Sequence, residues 1–314
     1  MDKNIKLSVV IISYNQEKYI SESIESVLNQ KTSFKYELIL ADDCSSDNTF
    51  KIMEKYSKKY PDIIRLLKRK KNLGATQNIL DACKNSLGEY ITILEGDDYW
   101  IDNNKIQSQI DFLDNHQDYI GITHLQQGKN LENKVIGNFP IEIKEDCDIT
   151  IEDYINGKLK YSATSTLYKN IYRDKNHVNS MKYLFSLNRI VGDAQICIYL
   201  LSLGKIKIIA KPMMVYRIRN SKNDSNYNST HSIAQIEMDY LNIYLEMDNF
   251  FDGKYNFYKK YENIVTLGFI YSIFKLKLKD ALLFIKKCPK KYRLKIVLLM
   301  PINCIRILLK KINK

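Results

Sequence analysis

The chain has 314 residues, 45% of them hydrophobic, which is enough for one large α/β domain with a smaller appendage. Its six cysteines include no C-x-x-C pair, which argues against structural zinc and a disulfide framework. No secretory signal precedes Leu7, so we predict a cytoplasmic protein. The net charge of +12 is confined to residues 275–314, where 13 Lys/Arg stand against one acid, Asp280. The neutral remainder argues against a nucleic-acid-binding module.

The first hundred residues predict alternating strands and helices. Four short apolar runs predict buried strands, at 7–13, 37–41, 63–67 and 90–94. Segments with helical apolar spacing lie between them, at 21–30, from Asp47 or Asn48 toward Tyr60, and at 72–85. Repeated strand–helix units predict a mainly parallel sheet with helices on both faces. The carboxyl ends of the strands then lie along one edge, where ligands bind.

The rest of the chain continues this pattern and then becomes helical. The predicted elements are a helix at 105–115, a strand at 119–125, a loop-rich region at 126–148, a strand at 162–168, a helix at 194–203 and strands near 206–209 and 213–216. Helices dominate from residue 232 onward. We therefore predict a domain at 1–230, with a nucleotide-binding half at 1–100 and a catalytic half at 101–230, and a helical region at 231–314.

A polar cluster follows each of the first four predicted strands. The clusters are Tyr14-Asn15-Gln16, the acidic stretch 42–47, Asn72 to Gly74, and Glu95 to Asp98. Because the ends of parallel strands meet at one edge of a sheet, these clusters are expected to converge.

The last of these clusters, Glu95-Gly96-Asp97-Asp98, places three carboxylates on a glycine hinge. Like charges so close together repel unless a cation, protons or hydrogen-bond donors compensate. Oxygen ligands without a His or Cys cluster favour Mg²⁺ or Mn²⁺ over zinc. The alternative is a polar loop in which Asp97 or Asp98 caps the next helix near Asn104.

Several motifs in order carry a resemblance to a known family. They are SVVIISYN (8–15), ELILADDCSSDNT (37–49), NLGATQN (72–78), GEYITILEGDDYW (88–100), Gly192-Asp193 and Val215-Tyr216-Arg217. Over roughly residues 5–220 the chain resembles a family 2 inverting glycosyltransferase of GT-A fold. The resemblance implies a mainly parallel central sheet flanked by helices, with a Rossmann-like nucleotide-binding half.

The resemblance also implies a donor site for a nucleotide-sugar, commonly UDP-linked. Asp42 and Asp43 would face the base and ribose, whose N–H and hydroxyl groups need acceptors. Turn chemistry and helix capping are the alternative roles of these aspartates. The other implied donor-site residues are Ser13, Tyr14, Asn15, Asn72, Gly74 and Asn78.

For the chemistry, the resemblance implies a metal, a base and a phosphate contact. Asp97 is the strongest metal ligand with Asp98 next, while Glu95 departs from the family's usual Asp-x-Asp. Asp193 matches the general base, although it could instead only cap its helix. Arg219 stands where many relatives have a His, and it would hold phosphate. Trp100 could stack on an acceptor sugar or pack at the rim.

The basic tail predicts an amphipathic helix. Apolar residues recur at four- and three-residue spacing, namely Leu298, Ile302, Ile305, Leu309 and Ile312. The run is too short to span a bilayer and Pro301 interrupts it, so we predict a peripheral position on the anionic inner face of the cytoplasmic membrane through residues 275–314. A helix packed on the body, with a solvated basic face, is the alternative.

These features together predict a metal-dependent inverting glycosyltransferase that uses a carbohydrate or lipid-linked acceptor in surface-glycan synthesis. A sugar-nucleotide nucleotidyltransferase is one alternative, but it would carry a Gly-rich phosphate loop where this chain has Tyr14-Asn15-Gln16. A non-catalytic nucleotide-sugar-binding protein is the other, because the Glu95 and Arg219 positions depart from the family pattern.

Overall fold

A computed structural model describes residues 5–141, 143–157, 163–187, 192–218, 231–275 and 277–312. The chain divides into two units, the first Met1–Ile151 with Leu159–Ile218 and the second Glu152–Lys158 with Arg219–Lys314.

The first unit alternates strands and helices in its first half, as the sequence predicts. Its elements are β1 (Leu7–Ser13), α1 (Ile20–Leu28), β2 (Tyr36–Asp42), α2 (Thr49–Lys59), β3 (Ile64–Leu67), α3 (Ala75–Lys84), β4 (Tyr90–Glu95), β5 (Tyr99–Trp100), α4 (Lys105–Asn115), β6 (Tyr119–Lys129), β7 (Val135–Phe139), β8 (Cys147–Ile149), β9 (Leu167–Lys169), α6 (Lys175–Leu187), α7 (Asp193–Leu203) and β10 (Lys205–Arg217). Helix α5 (Ile151–Ile155) leads into the second unit.

The strands form one sheet in the order β3-β2-β1-β4-β9-β6-β10-β5, with β7 beside β6 and β8 beside β10. Strands β3, β2, β1 and β4 are parallel, β9 runs antiparallel between β4 and β6, and β10 runs parallel to β6. The predicted mainly parallel sheet with flanking helices is confirmed. In β1, Leu7, Val9, Val10 and Ile11 are fully buried, as expected where helices cover both faces of the sheet.

Three segments of the catalytic half differ from the sequence prediction. The region 126–148 is not all loop, because β6 extends to Lys129 and pairs with β7. The two strands expected near 206–209 and 213–216 are one strand, β10, whose register shifts on either side of Pro212. The strand expected at 162–168 is a 3₁₀ turn, Ala163–Ser165, followed by the short β9.

A buried lysine lies beneath β5. Lys105 is completely buried, and its Nζ donates to Gln109 Oε1 at 2.8 Å and lies 4.3 Å from the centre of the Trp100 ring. Trp100 is only 4% exposed and belongs to the hydrophobic core, so it packs and does not present a platform for a sugar. Burial lowers the pKa of Lys105 to about 7 and that of the neighbouring His124 to about 3.

The second unit is helical, with α8 (Ile233–Phe250), α9 (Tyr258–Phe274), α10 (Leu278–Lys287) and α11 (Lys290–Ile312). Ser232 and Gln235 form a capping box at the start of α8, and the Tyr261 hydroxyl donates to Asp248 at 3.0 Å. Helix α11 continues through Pro301, so the expected interruption is wrong. Among the described helices none is long and apolar enough to cross a membrane.

The buried lysine gives a pH test of folding. The pKa of Lys105 is about 7 in the folded chain against 10.5 ordinarily, so the unfolded chain binds more protons between these values. The free energy of unfolding should therefore rise from pH 7 toward 10.5, by at most about 1.4 kcal/mol per pH unit from this group. Lys105→Met should remove that rise in denaturant titrations. The exposed Lys84→Met is the control, and parallel curves for both variants would contradict the assignment.

Candidate functional site

The register of the sheet brings three loops to one level. Ser13 at the end of β1 pairs with Asp42 at the end of β2, and Ile12 pairs with Glu95 at the end of β4. Backbone bonds continue past the strands, since Asp43 N donates to Ser13 O at 2.8 Å and Gly96 N donates to Ile12 O at 2.9 Å. The polar clusters that follow these strands therefore begin side by side at the carboxyl edge of the sheet.

Asp43 organises the loop that precedes α3. Its two carboxylate oxygens accept from Leu73 N at 2.7 Å and Gly74 N at 2.9 Å, while Asn72 Nδ2 donates to the Asp43 carbonyl at 3.0 Å. Gly74 has φ 84°, a conformation that favours glycine. Burial raises the pKa of Asp43, against the lowering effect of the two amides. The predicted donor residues Asp43, Asn72 and Gly74 therefore form one hydrogen-bonded group.

Asp42 and the first loop form a second group beside it. Asp42 accepts from the amide and hydroxyl of Ser45, at 2.9 Å from the amide. Asn15 N in turn donates a hydrogen bond to Ser45 Oγ at 2.9 Å. Ser13 is buried with a hydroxyl that has no hydrogen-bond partner, whereas Tyr14 is 42% exposed and so lies outside the core. Each Asp42 oxygen accepts one hydrogen bond from Ser45 and keeps a second lone pair that a ligand could use.

Arg69 is a basic residue of this region that sequence reasoning missed. Its Nε donates to Asn78 Oδ1 at 3.2 Å, and its Nη1 lies 2.9 Å from a carboxylate oxygen of Asp81. Its Nη2 is buried without a hydrogen-bond partner, and its charge lowers the pKa of Asp43 against the larger effect of burial. Asn78 also donates to Ala41 O at 2.9 Å. A donor without a partner thus belongs to an arginine whose charge acts on the Asp43 carboxylate.

Arg217 at the end of β10 holds the acidic loop, which we define as residues 95–98. Its backbone N donates to Asp98 Oδ1 at 2.9 Å, and its guanidinium donates to the Asp97 carbonyl and to the Glu22 carboxylate. The guanidinium carbon lies 5.0 Å from the Tyr19 ring centre and 4.7 Å from that of Tyr99. This buried cation offsets part of the repulsion between the carboxylates.

The two aspartates of the acidic loop have different environments. Asp97 is 5% exposed and its Oδ1 accepts from Gln16 Nε2 at 3.1 Å. Asp98 is 1% exposed, and its Oδ2 is buried without a hydrogen-bond partner. Burial, followed by the charges of Asp97 and Glu95, raises the pKa of Asp98 well above its ordinary value. Neither aspartate caps α4, where Asp102 Oδ1 instead accepts from Asn104 N at 2.9 Å.

This environment fits a divalent cation held by few protein ligands. An orphaned carboxylate oxygen beside a second carboxylate is a hard oxygen donor set of the kind Mg²⁺ and Mn²⁺ prefer. Throughout the described residues, no three His, Cys, Asp or Glu side chains are grouped so that they could hold a metal by themselves. An ion here would therefore need oxygens from a bound ligand, as phosphates supply.

Asp193 faces the same region from α7. It is the first residue of the helix, and the preceding Gly192 is the N-cap without a side-chain bond, so Asp193 does not act as the cap. A Cβ on Gly192 would lie 3.0 Å from Thr76 Cγ2, which places the start of α7 against the start of α3. Burial raises the pKa of Asp193.

Tyr216 links Asp193 to the acidic loop. Burial raises its pKa first, and the charges of Glu95, Asp98, Asp97 and Asp193 raise it further, so these four carboxylates lie within electrostatic reach of its hydroxyl. Gly192, next to Asp193, lies against Thr76, which comes two residues after the Gly74 amide that binds Asp43, so Asp193 approaches the loops that carry Asp43 and Asp97. The predicted phosphate contact Arg219 lies outside the described residues.

Comparison with known proteins gives one family match. The model of Glycosyl transferase family 2 matches residues 8–174. An uncharacterized protein of Mycobacterium tuberculosis is 43% identical over 110 residues, which cover 35% of this chain and 32% of that protein. The chain thus matches about a third of the length of this relative. The poly(ribitol-phosphate) β-N-acetylglucosaminyltransferase TarS of Staphylococcus aureus is 35% identical over 116 residues, which are 36% of this chain and 19% of TarS.

Two solved structures share the fold. TarS in complex with UDP-GlcNAc superimposes with a TM-score of 0.63 at 19% identity, over 92% of this chain and 83% of that one. The mannosyltransferase PcManGT from Pyrobaculum calidifontis, in complex with GDP-Man and Mn²⁺, gives a TM-score of 0.52 at 12% identity, over 90% of this chain and 74% of that one. At these identities the likeness concerns the GT-A fold alone.

The Arg217 contacts predict how rigid the acidic loop is. Arg217→Met removes the bonds to the Asp97 carbonyl and to Glu22. Bonds to a charged group contribute about 1.5–3 kcal/mol, so hydrogen exchange of the amides of residues 95–98 should accelerate by about tenfold or more. Arg65→Met is the control, because Arg65 binds Glu37 elsewhere in the sheet. Unchanged exchange at residues 95–98 would show that Arg217 does not restrain the loop.

Proposed function

The chain belongs to glycosyltransferase family 2, and we propose that it uses a divalent cation to transfer a sugar, with inversion, from a UDP-sugar to a carbohydrate or lipid-linked acceptor. The proposal is supported by the strand register, which sets the loops of Asp43 and Asp97 side by side, and by Asp193 and the acidic loop both lying within electrostatic reach of Tyr216. Each of the three then has a separate task, in donor binding, ion binding and proton removal.

The donor base is proposed to lie beside Asp43. Uracil presents an imide N–H next to a carbonyl, so it needs an acceptor and a donor side by side. Asp43 supplies the acceptor and the unpartnered Nη2 of Arg69 the donor. Asp42 is proposed to bind the ribose. The remaining residues proposed to frame the donor are Ser13, Tyr14, Asn15, Asn72, Gly74 and Asn78.

Asp97 and Asp98 are proposed to hold Mn²⁺ or Mg²⁺, with Glu95 acting directly or through water. The ion would stabilise the charge that develops on the diphosphate as the sugar bond breaks. The orphaned Asp98 oxygen supports this assignment, and PcManGT is a protein of the same fold with Mn²⁺. Arg219 is proposed to bind the phosphates by a charge-assisted bond.

Asp193 is proposed as the general base. It would accept the proton of the acceptor hydroxyl while that oxygen bonds to the anomeric carbon and the bond from this carbon to the diphosphate oxygen breaks. One displacement of this kind inverts the anomeric centre and releases UDP without a covalent intermediate. The raised pKa of the half-buried Asp193 suits a group that must take up a proton.

The acceptor is proposed to belong to a surface glycan, and the relative TarS is named for transfer to a polymer, poly(ribitol-phosphate). We further propose a peripheral location on the inner face of the cytoplasmic membrane, where a lipid-linked acceptor would be presented. The concentration of 13 bases and one acid in residues 275–314 supports this location.

Two substitutions separate proton removal from donor binding. Asp193→Asn should lower the transfer rate by about 100-fold or more while UDP-sugar binding by calorimetry stays unchanged, because only the base is lost. Asp97→Asn should weaken Mn²⁺-dependent UDP binding by about tenfold or more. The exposed Asp62→Asn is the control. An active Asp193→Asn enzyme would remove the proposed base.

The donor can be identified by slow hydrolysis. The intact chain would be incubated with UDP-glucose, UDP-galactose, UDP-GlcNAc and GDP-mannose, each with Mn²⁺, Mg²⁺ or EDTA, and nucleotide release would be measured. We expect release of UDP from one donor and only with metal. Equal release with EDTA would contradict the metal role, and release of GDP alone would contradict the choice of base.

A further inference from the structure

We propose that an apolar face on α10 and α11 inserts into the headgroup region of an anionic bilayer and is the part of the chain that binds the membrane. This inference rests on the peripheral location proposed above, and it assigns that location to particular side chains. We define this docking face by its exposed large apolar residues, which are Leu282, Leu283, Leu294, Val297, Leu298 and Ile302.

The apolar stripe on α11 is the centre of the docking face. Leu294, Leu298 and Ile302 recur every four residues and are 72%, 68% and 50% exposed. Ile296 and Met300, on another face of the same helix, are 1% and 6% exposed. The helix therefore buries one apolar face in the second unit and leaves a second apolar stripe in water, an arrangement that marks an interaction site.

Helix α10 shows the same pattern of one buried and one exposed apolar side. Its Ala281 and Phe284 are buried, whereas Leu282 and Leu283 are 62% and 40% exposed. Phe274, at the end of α9, is 72% exposed as well. A single exposed leucine needs no explanation, but this many large apolar side chains within about 30 residues exceed what a solvated surface ordinarily shows.

The charges around the face identify the partner. Lys290 lies one turn before Leu294 on the same row, and Lys295 is adjacent to that row with its Nζ 4.5 Å from the centre of the Tyr258 ring; both lysines are exposed. Residues 275–314 contain 13 basic residues and a single acidic residue, Asp280. A basic rim around an apolar stripe matches anionic headgroups above acyl chains, and long lysine side chains can extend from the apolar level to the phosphates. A nucleic acid would satisfy the lysines and leave the leucines in water.

The tail of α11 beyond Cys304 continues the same composition. The side chains of Ile305, Leu309 and Ile312, which the sequence places on the predicted stripe, lie outside the described part of the chain. The proposal is therefore carried by residues 282–302. A helix of this kind lies in the plane of the interface, with its apolar side about 5–10 Å deep, and does not cross the bilayer.

Co-sedimentation with vesicles tests the face with the full-length chain. Phosphatidylcholine vesicles with and without phosphatidylglycerol would be compared for wild type, Leu294→Ser/Leu298→Ser, and the matched control Leu131→Ser/Ile136→Ser. The control removes two leucine-sized side chains of similar exposure, 55% and 49%, from the first unit. We expect binding of wild type and control to the anionic vesicles, and binding weaker by about tenfold or more for the stripe variant.

A charge variant and a second readout complete the test. Lys290→Gln should weaken binding to the anionic vesicles only, and added salt should have the same effect. Equal binding of the stripe variant and wild type would overturn the docking face while leaving the membrane location standing. A wild type that binds no vesicle would overturn both, yet UDP release would still test the catalytic proposal separately. A wild-type dimer in sedimentation velocity that the stripe variant loses, without vesicle binding, would make the face a contact between copies.

Discussion

The binding of Arg217 to the acidic loop is the interaction on which the arrangement of the site depends. The loop carries three carboxylates within four residues, and two of these carboxylates, those of Asp97 and Asp98, are buried. Their mutual repulsion destabilises the loop unless a cation held in place offsets it. Arg217 supplies the charge and also the geometry, since its backbone amide binds Asp98 and its planar guanidinium binds the Asp97 carbonyl. Because Arg217 ends β10, the same contact joins the catalytic half of the sheet to the nucleotide-binding half.

The parallel pairing of the strands fixes the positions of the other loops of the site. Ser13 pairs with Asp42 and Ile12 with Glu95, because β1 is paired with β2 and with β4 without a register shift. Asp43 then fixes the start of α3 through two backbone amides. Asp193 approaches through helix packing, where Gly192 permits close contact with Thr76. Strand pairing therefore sets the positions of three loops, and the close approach of Gly192 to Thr76 adds the fourth group.

The fold and the convergence of the loops could be predicted from sequence because both follow from local patterns. Apolar runs ending in polar clusters mark buried parallel strands whichever neighbours they acquire. Arg69 and Arg217 carry no such mark, since an arginine becomes a buried donor only through partners distant in the chain, such as Glu22 for Arg217. The pairing of β7 with β6 and the burial of Trp100 are likewise set by tertiary contacts. Pro301 illustrates the converse, because α11 continues through a residue whose local preference is to break a helix.

The position of Trp100 gives the protein a spectroscopic reporter of its own. It is the sole tryptophan of the chain, it follows the acidic loop by two residues, and the Lys105 ammonium lies over its ring. Indole emission responds to nearby charge and to water, and when it is excited selectively over the 23 tyrosines it originates from one known place. Quenching or a spectral shift on addition of a cation or nucleotide would then follow motion of the loop in real time, without any attached dye.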